Sequence, residues 1–294
     1  MRTLEEKIRA REFVITTELT PPKGTDLTEL IARVQGLHST VDAVNLTESP
    51  RALMSVAPIA VARVLLERGV ETIVQMTSRD RNRIAIQADL LGAALLGLRN
   101  FVFMGGDPPA HGDHPEAKPV FDLTASQMAA AARELTRGRD MAGNRLKGAA
   151  ELFIGATVNP GACDAANELI NTRRKIDAGA QFLQTQAVYE AAALEQFMSA
   201  ARTGEVAVIV GIIPLKSAKM AAWLNDKVPG IRVPEALITQ MQAAAGSEAE
   251  LETGLAIAAR TIAEARTLCA GAHIMALGWE AHIPEILRRA GIRR

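Results

Sequence analysis

Three residues combine a reactive type with a place at the end of an apolar run. Glu18 closes Phe13-Val14-Ile15-Thr16-Thr17-Glu18-Leu19, in which alternate side chains face one side of a strand. A carboxyl in such a partly desolvated place is held more readily in its protonated form, as a general acid near neutral pH requires. An ion pair with a neighbouring Lys or Arg is the equal alternative. Asp107 follows Gly105-Gly106 and precedes Pro108-Pro109. Two glycines let the backbone approach a flat ligand, and the prolines stiffen the loop behind the carboxylate. Such a carboxylate can accept two N–H bonds from a fused heteroaromatic ring, although a turn-forming Asp explains the same composition. Gln186, after Thr185, offers a donor and an acceptor that suit an amide or pteridine edge, or that neighbouring backbone groups satisfy.

Thr47, Gln75 with Thr77, Asn159 and Lys216 also end apolar runs. With Glu18, Asp107 and Gln186 they form a ring that contains no His, no Ser/His pairing and no carboxylate cluster for a divalent metal. Asn171-Thr172-Arg173-Arg174-Lys175 and Arg79-Asp80-Arg81-Asn82-Arg83 carry cations that either neutralise a phosphate or form the solvated face of a helix.

Positioning this ring requires a regular scaffold. Short apolar runs, expected as strands at 13–19, 42–47, 72–76, 100–104, 151–157, 182–185, 206–212 and 273–276, alternate with helical patterns at 27–37, 59–67, 82–96, 125–137, 165–178, 191–201, 218–225 and 283–289. Eight strand–helix units predict an α/β fold, a single (β/α)8 TIM barrel, whose active site lies at the C-terminal ends of the strands. An open doubly wound sheet is the competitor, but its GxGxxG fingerprint is absent. Extra helix, broken at Gly246-Ser247, is expected over 234–267 before the last strand, so residues 1–294 read as one catalytic domain. The polar segment 105–122 is long for a loop between strand and helix, which suggests function or mobility.

Composition narrows the partners. Lys and Arg (33) balance Asp and Glu (33), so the chain lacks the cationic excess that nucleic acid or an anionic membrane surface requires. Cys163 and Cys269 are far apart and make neither a disulfide framework nor a zinc site. The start, Met1-Arg2-Thr3-Leu4-Glu5-Glu6-Lys7, has no apolar signal core, and no long uncharged run follows, so a soluble cytoplasmic protein is expected. The residues alone describe a barrel enzyme with a non-metal site for a planar ligand and do not name its reaction.

Several segments, in order along nearly the whole chain, resemble the methylenetetrahydrofolate reductase family in its short bacterial form. They are 13–24, ending Thr20-Pro21-Pro22-Lys23-Gly24; Thr77-Ser78-Arg79-Asp80-Arg81-Asn82; Gly106-Asp107-Pro108-Pro109; Arg174-Lys175-Ile176-Asp177-Ala178-Gly179-Ala180 with Thr185-Gln186; Gly211-Ile212-Ile213-Pro214; and Gly271-Ala272-His273-Ile274-Met275. The first is closest to the branch also found fused to a homocysteine methyltransferase domain.

The resemblance implies a flavoprotein that reduces 5,10-methylenetetrahydrofolate to 5-methyltetrahydrofolate, or runs the reverse oxidation, as part of one-carbon metabolism and methionine biosynthesis. FAD is the implied cofactor and NADH or NADPH the co-substrate, used in a ping-pong sequence. Glu18 becomes the general acid, Asp107 the carboxylate on the pterin edge near the flavin, and Gln186 the contact for folate and nicotinamide in turn. Glu168, Asn171, Arg174 and Lys175 fall where the family holds the ribityl and diphosphate parts of FAD. Thr47, Gln75, Gly106, Asp107 and Asn159 complete the implied cofactor set. Met220 and Trp279 join Glu18, Asp107 and Gln186 as implied substrate contacts.

This chain departs from the family pattern at several of these places. Gln75 stands where many members have His, and Asn159 replaces a His of the enterobacterial form. Met220 and Leu224 replace a polar folate contact and an aromatic nicotinamide clamp, and Trp279 replaces an Arg that pairs with the folate tail. Trp279 could instead stack on the aminobenzoyl ring or serve as a core residue. Two other readings remain. One is a folate- and flavin-binding subunit that takes electrons from a partner protein. The other is an unrelated barrel lyase or aldolase, for which Lys216 is the well-placed Schiff-base lysine. Homo-oligomers in the family make a homo-oligomer a further expectation.

Overall fold

The computed structural model describes residues 2–293, so Met1 and Arg294, the ends of the expected domain, lie outside it. Eight strands are present among them: β1 (Val14–Leu19), β2 (Ala43–Leu46), β3 (Thr72–Thr77), β4 (Asn100–Met104), β5 (Phe153–Val158), β6 (Phe182–Ala187), β7 (Ala207–Ile212) and β8 (Gly271–Ile274). They pair in parallel in chain order, and β8 returns to β1 to close the barrel. The (β/α)8 barrel expected from strand–helix alternation is therefore the fold.

The helices are α1 (Leu4–Arg9), α2 (Thr28–Leu37), α3 (Pro58–Leu66), α4 (Arg83–Leu95), α5 (Ala125–Thr136), α6 (Ala165–Ala178), α7 (Ala191–Ala201), α8 (Ala218–Lys227), α9 (Glu235–Ala244), α10 (Ala249–Ala265) and α11 (Ile283–Arg289). Their starts are marked locally. Asn82 accepts from the Ile84 and Ala85 amides, and Thr124 and Gln127 form a capping box that satisfies donors a helix start leaves open. The extra helix expected before the last strand is the pair α9 and α10. Helix α1 is not among the expected elements, because six residues carry too little periodicity.

One apolar layer fills the N-terminal end of the barrel. Val14, Ala43, Ile73, Val102, Phe153, Phe182 and Ile209, from seven strands, meet Leu4 of α1, which plugs that end. Gly155 makes the layer possible: a β-carbon there would lie 2.3 Å from the Phe182 ring, which stacks on Phe153 at 4.9 Å. Larger apolar clusters pack the outer sheet face under the helices. No helix among the described residues is long and apolar enough to cross a membrane.

The two cysteines differ in environment. Cys163 is exposed, whereas Cys269 bonds the Ala265 and Gly271 carbonyls, and burial pushes its thiol up to about 11. At pH 8 a thiolate-trapping disulfide reagent should titrate Cys163 alone in the folded protein, and both cysteines after denaturation. Equal rates for both in the folded state would contradict this.

Candidate functional site

Above the apolar floor the barrel interior turns polar. Strand alternation sends Val14 into the floor, Thr16 into the next layer and Glu18 to the mouth. Thr16 is paired with His273 of β8, so the two side chains meet at 2.9 Å between Thr16 Oγ1 and His273 Nδ1. Across the barrel, Asn45 and Gln184 exchange amide hydrogen bonds of 2.7 and 3.2 Å, and Gln184 Nε2 also reaches Thr16 Oγ1 at 3.5 Å. All four side chains are buried, so these bonds meet polar demands that water cannot.

The network ends at Glu18, whose side chain keeps 21% of its surface exposed. His273 Nε2 and Gln75 Nε2 each lie 3.5 Å from the same oxygen, Oε2. When Thr16 donates to Nδ1, the imidazole proton is on Nε2 and faces Glu18. Both neighbours lie on Oε2, and Oε1 takes part in neither contact. The ion pair with Lys or Arg, the alternative for Glu18, is not formed among the described residues.

The expectation of a ring without His is thereby corrected. Strand β8 begins at Gly271, two residues before the expected start, so His273 is an inward residue within the strand and not its first. Its height beside Glu18 follows from the stagger of a closed barrel, which no single segment encodes.

The loops after β2 and β4 make a roof on one side of the mouth. Asp107 is exposed, and its Oδ2 accepts from the Arg51 amide at 2.8 Å. Arg79, almost fully buried, donates to the Ser49 and Asp107 carbonyls. Ser49, Arg51 and Ala52 all have positive φ, at 42°, 55° and 56°, and such strain persists only where neighbours enforce it. Gly112 contributes, since a β-carbon there would lie 2.0 Å from the Ala52 carbonyl oxygen. Gly106, at φ 91°, packs on Thr77 and Arg79, so loop packing already accounts for it.

Glu48, which carries no signal in the sequence, is the hub beneath this roof. Its carboxylate accepts from the Thr77 amide and hydroxyl at 2.6 and 2.9 Å and from Arg81 at 2.7 and 2.9 Å. Acidic residues are common on surfaces, and only burial separates this one. Thr47 donates to Thr20 and ties the ends of β2 and β1.

A second group forms at the end of β5. Glu168 accepts from the Asn159 amide at 2.8 Å, and Lys175 donates to the Thr157 carbonyl at 2.8 Å. Burial pushes the Lys175 ammonium down from its ordinary value, opposed by the Glu168 charge. Asn171 is half-buried on the same helix and Arg174 is exposed. Gln186 is not at a strand end as expected: β6 runs to Ala187, with a shift of register against β7 between Gln184 and Ala187. Its Oε1 accepts from the Ala187 amide, which folds the side chain onto its own backbone.

A family model for methylenetetrahydrofolate reductase matches residues 3–291. The chain belongs to the methylenetetrahydrofolate reductase family. No curated protein matches it. Among solved structures, an uncharacterized protein from Clostridium thermocellum that binds two copies of 5-methyl-5,6,7,8-tetrahydrofolic acid is 17% identical, with a TM-score of 0.67 over 99% of this chain and 100% of that one. A 2,3-dimethylmalate lyase is 13% identical (TM-score 0.57; 99% and 90% covered). The EDTA monooxygenase of Chelativorans sp. BNC1 is 10% identical (0.55; 96% and 98%). These likenesses show the barrel alone.

Within the methylenetetrahydrofolate reductase family frame, the implied residues separate in space. Glu18 and Gln75 meet at the mouth, Thr47, Gly106 and Asp107 belong to the roof, and Asn159, Glu168 and Lys175 converge at the end of β5. Met220 is half-buried and packs on the apolar cluster that includes Leu224. Leu224 is 2% exposed, whereas its neighbour Trp223 is 54% exposed. Among the described residues, no three His, Cys, Asp or Glu side chains are grouped to hold a metal.

Proposed function

We propose that this barrel catalyses flavin-dependent interconversion of 5,10-methylenetetrahydrofolate and 5-methyltetrahydrofolate, with NADH or NADPH as electron donor. The observation that carries the reading is Glu18, half-open at the mouth and held by Gln75 and His273, in a chain matched by the family model over 3–291. Binding of methyltetrahydrofolate by the Clostridium relative of the same fold supports the choice of substrate.

The donor set at the end of β5 suits FAD. Lys175 Nζ has three N–H groups and gives one to Thr157, and Arg174 forms no ion pair among the described residues, which leaves cationic donors for a diphosphate. Asn171 and Glu168 suit ribityl hydroxyls, and Asp107 keeps Oδ1 open toward a ring edge. When bound, FAD supplies the hydride chemistry. Glu18 gives the proton on Oε1 to the bridging nitrogen of the folate, and the five-membered ring opens to an iminium that accepts hydride. His273 and Gln75 orient the carboxyl through Oε2, and the Thr16–Gln184–Asn45 chain fixes the imidazole.

Anaerobic titration tests this. Protein loaded with FAD should show flavin absorbance that bleaches with NADH or NADPH and returns with methylenetetrahydrofolate. Protein that takes up no flavin would refute the proposal. The burial of Leu224, where a nicotinamide clamp would stand, favours a second reading, in which a partner protein supplies the electrons. Flavin that bleaches with neither nucleotide but reoxidises with folate after chemical reduction would select it.

A further inference from the structure

We infer that Arg79 is a positioning residue of the folate site: its buried guanidinium joins the loops after β2 and β4 and so sets the carboxylate of Asp107 against the pterin ring. The inference rests on the proposed function and gives it a residue that acts through Asp107 without touching the ligand.

One nitrogen of Arg79 serves both loops. Its Nη1 donates to the Ser49 carbonyl at 3.2 Å and to the Asp107 carbonyl at 3.4 Å. Two residues beyond Ser49, the Arg51 amide donates to Asp107 Oδ2 at 2.8 Å. The guanidinium therefore holds both sides of that bond, the donor through Ser49 and the acceptor through the main chain of Asp107. Asp107 Oδ1 takes no part in it, which leaves this oxygen for an N–H of the pterin edge. The opposite edge of the guanidinium, Nε and Nη2, bonds the two oxygens of Asp80 at 2.9 and 2.7 Å and fixes the plane of the group, as a planar fork on a carboxylate does.

The main chain of the same residue pins the long segment 105–122 near both ends. The Arg79 amide donates to the Gly105 carbonyl at 3.1 Å, and the Arg79 carbonyl accepts from the Val120 amide at 2.7 Å. A β-carbon at Gly106 would lie 3.2 Å from Arg79 Cβ, so glycine lets the Asp107 loop lie close to this side chain. Arg79 is 3% exposed, so its charge is used inside the protein, in neither of the two roles the sequence allows it, a phosphate contact or a solvated helix face. Without the guanidinium, the Asp107 loop and the turn at 49–52, with its positive φ values, lose the donor they share, and the turn loses a neighbour that enforces it.

Equilibrium titration with 5-methyltetrahydrofolate tests the assignment in a double-mutant cycle. Asp107→Ala should weaken binding about tenfold, as loss of one charged hydrogen bond does, and Arg79→Met should reproduce most of that loss. Because Arg79 acts through Asp107, the double variant should bind no more weakly than Asp107→Ala alone. Arg79→Gln runs the same cycle if circular dichroism shows that Arg79→Met does not fold. Losses that multiply to about a hundredfold in the double variant would make Arg79 a merely structural residue and overturn the assignment, as would wild-type affinity in the single Arg79 variant. Wild-type affinity in Asp107→Ala would also overturn it, while leaving the flavin chemistry and Glu18 standing. Wild-type protein that binds no folate would overturn the proposed function with it.

Discussion

Glu18→Gln should lower methylenetetrahydrofolate reduction by about 10²–10⁴-fold, the range for loss of a positioned general acid, while a pyridine nucleotide still reduces the bound flavin. Gln fills the same volume and keeps an oxygen for the His273 and Gln75 donors, so the polar network beneath should persist. It removes the proton that Oε1 would deliver. The two half-reactions separate the roles: slow folate-dependent reoxidation with normal nucleotide-dependent bleaching assigns Glu18 to proton transfer. Undiminished folate turnover would exclude Glu18 as the acid, and loss of both half-reactions would mark it as a structural residue.

Glu48→Ala should destabilise the protein by about 3–5 kcal/mol, the cost of breaking a buried ion pair by removing one partner. Against a typical total of about 5–15 kcal/mol this is a large fraction. The size follows from what is left behind. Arg81 would keep only Asp89, at 2.6 Å, and the Thr77 amide would lose its acceptor. Glu48→Gln, which retains one acceptor oxygen for Thr77, should cost less. Urea denaturation of the three proteins reads the difference, and a midpoint for Glu48→Ala equal to wild type would contradict the hub role.

The scaffold is largely legible in the chain because its signals are local. Strand β4 and helices α6, α7 and α11 fall on the expected bounds, since apolar runs and 3.6-residue periodicity need no distant partner. Glu18 is legible for the same reason: it ends a run whose alternation is visible. Residues brought together by the barrel's stagger are not. In the sequence His273 looks like the start of a strand, and Asn45 and Gln184 look like ordinary polar residues within apolar runs. Glu48 has no signal beyond its charge. Gln186 reads as a strand end because a register shift leaves no mark in a single strand.

By itself the sequence determined the barrel, the candidate acid and, through ordered motifs, the family. Periodicity, strand ends and motif order are properties of contiguous residues. Only the tertiary structure decided which groups face Glu18, that Leu224 is buried, and that Lys216 stands beside Trp279. Each of these depends on the register in which separate strands close the barrel and on which side chains the helices then cover, and both are set by packing between segments far apart in the chain.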